Sequence, residues 1–360
     1  MGNEQQIDFQ ETIFKKAIKK TKNNNLLISP MSLFLPLAFL SKGAKDKTLN
    51  EFLKVLNDSK SENLYLDNLE EISNILKNDK SLKIANSILS KVKIEDNFLE
   101  NSKNFNIKIG QFENLEQINH WVKENTEGKI EKFTDKLDPS SPMVILNAIY
   151  FHDDWKEEFE HSKTSPQIFF LSDNKQKEVD FMNHTFENAF YYQTGTFQSI
   201  KLEYKNCDIM ATIILPVKNF KINNIISNMN SSSFFDMSNY NTDRKTVELY
   251  LPKIKLENSY DFNDLLKELG LKEALNINAD FSLISKIKPF YIKNVFQNSC
   301  LEMNEKGTTG TSVTEVEMKL GLDSEPIEMK CDRPYLVFLS KYSLKIKKDI
   351  ILFSAKIENP

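Results

Sequence analysis

Glycine is scarce in this chain, nine residues in 360, and the closest pair, Gly307 and Gly310, fits neither a dinucleotide-binding fingerprint nor a P-loop. No G-x-S-x-G occurs, so a hydrolase built on a nucleophile elbow has no sequence support. Histidine is rarer still. His120, His152, His161 and His184 make neither H-E-x-x-H nor another paired ligand spacing. His152 precedes Asp153 and Asp154, which invites a metal reading, but a charged turn after a strand accounts for the same residues. The three cysteines, Cys207, Cys300 and Cys331, are odd in number and follow no motif spacing. That argues against a disulfide framework or a thiolate metal site and suits a reducing compartment. Neither a metal nor a cofactor is expected.

Charge of one sign is also missing. Forty-seven Lys and Arg face 51 Asp and Glu, for a net charge of -4, with no basic block to attract nucleic acid. Lys83, Lys91 and Lys93 read as a solvated edge. The first six residues, Met1 to Gln6, lack a basic n-region and an apolar stretch, and Gln6 stands where a myristoylation signal needs Ser or Thr. The longest apolar stretches, around Ile209 to Val217 and Met143 to Phe151, are too short to span a bilayer. The expectation is a soluble chain that makes no membrane contact, cytoplasmic or exported by a route without a cleaved signal peptide. Three N-x-S/T matches, at Asn57, Asn183 and Asn230, matter only in the second case.

Hydrophobic residues make up 40% of the chain, enough for one large core or two ordinary domains. Leu33, Leu37 and Leu40 recur at helical spacing, as do Ile118 and Val122 with Ile130 beyond a gap, and the first third reads as mostly helical. Strand-like segments follow at Met143 to Phe151, Asp208 to Leu215, Thr246 to Leu256 and Ile350 to Ile357. Helices and strands segregate rather than alternate, which predicts an α+β fold. The polar stretch Asn228 to Ser233 reads as a surface loop, and no segment reads as a linker or a repeat.

From Thr308 to Lys319 the chain alternates with period two. Thr308, Gly310, Ser312, Thr314, Val316 and Met318 are small or apolar, whereas every charge, at Glu315, Glu317 and Lys319, falls on the other phase. One face is fit for burial and the other for water, as in a strand. Periodicity does not separate a permanent strand from a conditional one.

A series of strings across the chain carries a family resemblance. Asn25-Leu26-Leu27-Ile28-Ser29-Pro30-Met31-Ser32 with Gly43-Ala44 and Thr48 resembles the helix B segment of the serpins, and Ile118 to Val122 with Thr126 and Gly128 to Ile130 resembles their helix F signature. Asn147 to Phe151 with Trp155 is similar to the strand that leads into the breach of their main sheet. Leu251-Pro252-Lys253, Leu269-Gly270, Ala279 to Ser282, Asn304 to Thr308, Asp332 to Tyr335 and Asn359-Pro360 follow in family order. Singly each string has an ordinary reading, Ser29 as a helix cap and Trp155 as core. Together they do not.

The resemblance implies one domain over residues 1–360 with three β-sheets and about nine helices. An exposed reactive-centre loop, about 305–331, would bait a protease. After cleavage the hinge (Glu305, Lys306, Gly307, Thr308, Thr309, Gly310, Thr311, Ser312, Val313, Thr314) would enter the main sheet and drag the acylated protease to the far pole. The protein would then be an inhibitor, a monomer and no enzyme. Ser29, Ser32, Asn147, Trp155 and Gln297 would control sheet opening, with Gln297 standing where the family usually has a titratable histidine. Ala355 stands where the family tends to have glycine. The family's spacing from Glu305 puts the bond at Gly321, with Lys319, Leu320 and Leu322 also in range. Leucine fills a deep specificity pocket best, pointing to Leu320 and a chymotrypsin-like or cathepsin-type protease, while Lys319 would suit a trypsin-like one and a cysteine protease also fits. Residues 308–314 are small and uncharged, as early insertion requires, though Thr and Ser replace the usual alanines. The competing readings are a non-inhibitory serpin that binds or chaperones, and a hydrolase with an unrecognised site.

Overall fold

The computed structural model describes residues 9–21, 24–56, 68–111, 114–126, 128, 130, 141–228, 244–307 and 325–360. Five strands form one sheet in the order β10 (Ile254–Asp261), β11 (Ile292–Met303), β4 (Met143–Phe151), β2 (Leu82–Ser90) and β3 (Ile107–Gln111). All nine residues of β4 are buried. Met143, Ile145, Ile149 and Phe151 join the main core, and Val144, Leu146, Ala148 and Tyr150 join a second cluster on the opposite face. A strand covered on both faces needs a continuous apolar run, and Asn147 alone breaks it.

A second strand path runs β1 (Leu26–Ile28), β14 (Lys348–Ile357), β13 (Tyr335–Ser343), β8 (Ile209–Pro216), β7 (Phe197–Glu203), β6 (Gln176–Gln193), β9 (Lys245–Pro252) and β12 (Ile327–Lys330), with β5 (Ser165–Phe170) also on β6. The long β6 serves two ladders. Its last four residues pair with β7, and the rest pairs with β5 and β9 across a register shift between Phe186 and Ala189. The path thus divides into two sheets sharing β6, three sheets in all.

Eight α-helices occur among the described residues: α1 (Phe9–Thr21), α2 (Pro30–Ser41), α3 (Asp46–Leu56), α4 (Leu69–Asn78), α5 (Asp96–Ser102), α6 (Leu115–Asn125), α7 (Ile222–Asn228) and α8 (Asn263–Leu269). Every residue of α2 is buried, so the leucine spacing there marks a core helix and not an amphipathic one. On α6, Asn114 caps the start by accepting the Gln117 N–H at 3.0 Å, and Ile118 and Val122 face the second cluster. Ile130 lies beyond the helix; its N–H donates to the Thr126 hydroxyl at 3.2 Å, so the gap in the spacing is a real helix end.

Three strand expectations stand at β4, β8 and β14 to within two residues. The fourth, Thr246 to Leu256, is two strands in two sheets: β9 ends at Pro252 and β10 begins at Ile254. The mostly helical first third also contains β2 and β3, because Ala85, Asn86 and Ser87 have weak strand preference and only their neighbours hold them extended. Cys207, Cys300 and Cys331 are free thiols, and burial pushes the Cys207 thiol up to about 12. Among the described residues no helix is long and apolar enough to cross a membrane.

Candidate functional site: a polar seam and a docked hinge

In the five-stranded sheet, β4 and β11 are neighbours and run parallel, from Met143 beside Ile292 to Tyr150 beside Cys300. Across this seam lies one polar row. Asn86 of β2, Asn147 of β4 and Gln297 of β11 occupy the same register, on the face that looks onto the start of α2. Gln297 Nε2 donates to Asn147 Oδ1 at 2.6 Å and to the Ser29 carbonyl at 2.9 Å, while Gln297 Oε1 accepts the Ser29 N–H at 2.7 Å. Ser32 Oγ donates to Asn147 Oδ1 at 2.6 Å, and Asn147 Nδ2 donates to Asn86 Oδ1. All five residues are buried. Parting β4 from β11 breaks the Gln297–Asn147 bond that crosses between them, and leaving a buried polar group without its partner costs about 1–3 kcal/mol.

Ser29 is therefore not a side-chain helix cap. It precedes α2 in extended conformation, its backbone is taken by Gln297, and its own Oγ is buried without a partner. Asn86 is the member that sequence reasoning missed. A lone asparagine inside Ile-Ala-Asn-Ser-Ile gives no local signal, and only strand register brings it to Asn147.

At the ends of β4 and β11 the chain turns back on itself. Asn304 and Gly307 pair with each other, and Asn304 Oδ1 accepts the Lys306 N–H at 3.1 Å. The turn docks on residues 153–159. The Trp155 N–H donates to the Lys306 carbonyl, its indole Nε1 to the Asn304 carbonyl at 3.0 Å, and the Phe159 N–H to the Glu305 carbonyl at 2.7 Å. Trp155 is 1% exposed and stacks on Tyr204 at 4.4 Å. It is core, as its ordinary reading has it, and also the floor of the hinge.

The buried Glu305 carboxylate is the electrostatic centre of the hinge. Oε1 accepts Thr164 Oγ1 at 2.9 Å and Lys253 Nζ at 3.1 Å, with His161 Nδ1 at 3.4 Å. Burial is the largest single influence and pushes its pKa up. The hydrogen bonds from its own backbone, Thr164 and Lys253, with the Lys253 charge, together outweigh it and hold the carboxyl below its ordinary 4.5. A lowered carboxyl contributes stability that is fully present above the ordinary value and lost as pH falls through the lowered one. The hinge is thus held throughout the neutral range.

Gly307 makes the docking possible. A Cβ there would lie 2.2 Å from the Asp153 carbonyl oxygen and 2.6 Å from Asp154 Cα, and its φ of +149° is strained for any side chain. Gly307→Ala should therefore unseat the hinge at a cost of about 1–3 kcal/mol. Limited proteolysis should cut at residues 304–307 faster than in the parent, and an unchanged rate would mean the docking is incidental. The charged turn expected at His152 to Asp154 is only half that. His152 is exposed, but Asp153 is buried and accepts from Ser81 Oγ at 2.9 Å and Asn206 Nδ2 at 2.7 Å. Ala355 is fully buried opposite Leu27 and Val337.

Of the residues singled out in sequence, Ser29, Ser32, Asn147 and Gln297 form the seam, and Trp155, Glu305, Lys306 and Gly307 form the docked hinge. Thr308 to Thr314 and Lys319 to Leu322 lie outside the described residues, as do Asn57, Asn230 and most of the Asn228–Ser233 stretch.

Glutamine at 297 makes the seam insensitive to pH between 5 and 8, since it cannot titrate. Gln297→His should introduce a dependence. A neutral imidazole can accept the Ser29 N–H, but an imidazolium cannot, so folding depresses its pKa below the unfolded value of about 6.5. Stability of the variant should be flat above that pH and fall below it by up to about 1.4 kcal/mol per unit. Urea midpoints from pH 5 to 8 that run parallel for parent and variant would refute this.

A polar seam thus joins two parallel central strands, and a turn docks beside the end of their sheet. The family model described as "Serpin (serine protease inhibitor)" matches residues 4–360, and the chain belongs to the serpin family. It is 29% identical to Serpin A3-1 of Bos taurus, over 98% of this chain and 88% of that protein, and 28% identical to Serpin B11 of Homo sapiens, over 98% of each. Among solved structures, the thermophilic serpin tengpin in its native state matches with a TM-score of 0.87 at 27% identity, covering 98% of this chain and 92% of that one. Human thyroxine-binding globulin matches the fold equally, with a TM-score of 0.87 at 23% identity over 98% and 96%.

Proposed function

We propose that the protein inhibits a protease by trapping it as an acyl-enzyme, with the cut loop entering the main sheet between β4 and β11. It is not itself an enzyme, it acts as a monomer, and residues 1–360 work as one domain. The observation that carries this reading is the parallel β4–β11 pair. A strand turning back from β11 through residues 304–307 would run antiparallel to both neighbours, so one slanted parallel ladder would become two antiparallel ones, which are more stable per residue. The alternation of residues 308–319 gives that strand an inner face free of charge. The bond attacked lies within Lys319 to Leu322, with Leu320 preferred, and the target is a chymotrypsin-like or cathepsin-type serine protease. The chain acts in the cytoplasm or outside the cell.

The test is incubation with a panel of serine and cysteine proteases, read for SDS-stable complexes and, by mass spectrometry, for the cut bond. Thr308→Arg places a cation on the inner face of the entering strand, at a cost of several kcal/mol. It should be cut normally and trap little, whereas Thr309→Arg, on the outer face, should trap nearly as well as the parent. Equal trapping by the two variants would sink the inserting-strand reading. Absence of any SDS-stable complex across the panel would favour a binding serpin instead.

A further inference from the structure

Two exposed apolar patches of opposite charge lie at opposite ends of the molecule. The first is on β5, an edge strand that pairs with β6. Ile168 is 40% exposed and Phe170 45%, in phase with the exposed Pro166, whereas Phe169 points into the core. Glu178 stands opposite Ile168 and Asp180 opposite Pro166, so both carboxylates share this outer face. Both are exposed, and neither has an ion-pair partner among the described residues. Thr164, just before β5, donates to Glu305, which places the patch at the hinge end.

The second patch is a strand's length away. β11 runs 12 residues from Ile292 to Met303, or roughly 40 Å at 3.3 Å per residue. Beyond Ile292, its N–H donates to the Ala274 carbonyl, Glu95 N–H to the Ile284 carbonyl, and Ser285 Oγ to the Lys93 carbonyl while accepting the Ile287 N–H. At this pole Ile277 is 61% exposed, Leu283 45% and Ile287 49%. Lys286 and Lys288 flank Ile287, the Ser285 bonds bring Lys93 beside it, and all three lysines are exposed. Asp280 in the same segment is spent on the Ser282 N–H at 2.9 Å. Five of the eight exposed large hydrophobics among the described residues thus fall in two patches, each rimmed by charge, which marks contact surfaces.

We propose that the two patches bind each other between intact copies of this chain, the β5 face of one docking on the 277–287 pole of the next. Ile168 and Phe170 pack against Leu283 and Ile287, and Glu178 and Asp180 meet Lys93, Lys286 and Lys288. Each patch carries the charge that the other lacks. A symmetric contact would set carboxylate on carboxylate or lysine on lysine, so the pairing is heterologous, and patches at opposite ends repeat it into a head-to-tail chain. The contact is made by side chains and exchanges no strand. Pro166 has no N–H to offer, and the Phe170 N–H already donates to the Asp332 carbonyl at 2.7 Å, so the outer edge of β5 is closed to strand pairing. So few side chains make a weak, reversible contact, and dilution returns the single chain as the inhibitory unit.

Sedimentation equilibrium of the intact chain tests this. Between about 1 µM and about 1 mM the weight-average mass of the parent should climb past that of a dimer, fall back on dilution, and climb less in high salt. Ile168→Glu/Phe170→Glu and Leu283→Glu/Ile287→Glu should each stay monomeric alone. Mixed one to one, they should form a dimer and nothing larger, because each supplies the one face that the other has lost. That mixture also shows that both variants are folded, and Lys286→Glu/Lys288→Glu replaces the second should it misfold. Leu344→Glu, at an 84% exposed residue outside both patches, should associate as the parent does. A parent that stays monomeric throughout the range would overturn the proposal. So would association that either variant alone retains, a mixture that stays monomeric, or oligomers that persist on dilution, which would report an exchanged strand. No outcome depends on the trapping reading, since only uncut chains are weighed.

Discussion

A single cut between Lys319 and Leu322, made without capturing a protease, should raise the thermal midpoint by on the order of 10 °C. The gain comes from pairing that the intact chain withholds. In the uncut protein, β4 and β11 satisfy each other through one parallel ladder, and the hinge is spent on Trp155 and Phe159. A strand of about ten residues between them would add a second ladder, and at about 1 kcal/mol net per hydrogen bond the gain approaches 10 kcal/mol. Opposing terms are the loss of the Gln297–Asn147 bond across the seam, of the Glu305 contacts with Thr164 and Lys253, and the entropy of ordering the loop. The expected rise therefore requires that this pairing, together with burial of the uncharged inner face of residues 308–319, outweighs these terms. Calorimetry of intact and cut protein decides it. An ordinary nicked loop keeps or lowers the midpoint, and that result would exclude insertion of the loop as a strand.

Glu358→Ala should destabilise the native state by about 3–5 kcal/mol. Lys356, at the end of β14, is completely buried, and its Nζ lies 3.0 Å from Glu358 Oε1. Ser172 Oγ donates to the other carboxylate oxygen, and the Glu358 N–H donates to Asn25 Oδ1 at 2.7 Å, which ties the C-terminus to the strand entering α2. Removing the carboxylate leaves a buried cation, and desolvating a charge without its counter-charge costs far more than the pair itself contributes. Replacing both residues, as Lys356→Met/Glu358→Leu, should therefore recover most of the loss. Urea unfolding of the single and double variants measures this. A single variant within 1 kcal/mol of the parent, or a double variant worse than the single, would show that the pair is not what holds this end.

The family, the α+β class and the main strands were readable from the chain because they depend on local quantities. A strand buried on both faces must be an uninterrupted apolar run, and Met143 to Phe151 is one; a helix buried on all sides must be apolar throughout, and Pro30 to Ser41 nearly is. The strings that place Ser29, Ser32, Asn147 and Trp155 were equally visible, and Gln297 was found as the residue standing where the family usually has a histidine, although their partners were not. Tertiary structure alone decided that Asn86 completes the seam, that Lys253, Thr164 and His161 converge on Glu305, and that Gly307 is needed for close approach to Asp153. It also divided Thr246 to Leu256 between two sheets and turned Asp153 inward. The reason is separation along the chain. Gln297 and Ser29 are 268 residues apart and Glu305 and Thr164 are 141, so no local pattern ties one partner to the other. Periodicity reports which face of an element is buried, while the register between strands, set only when the sheet assembles, reports what each buried polar group will meet.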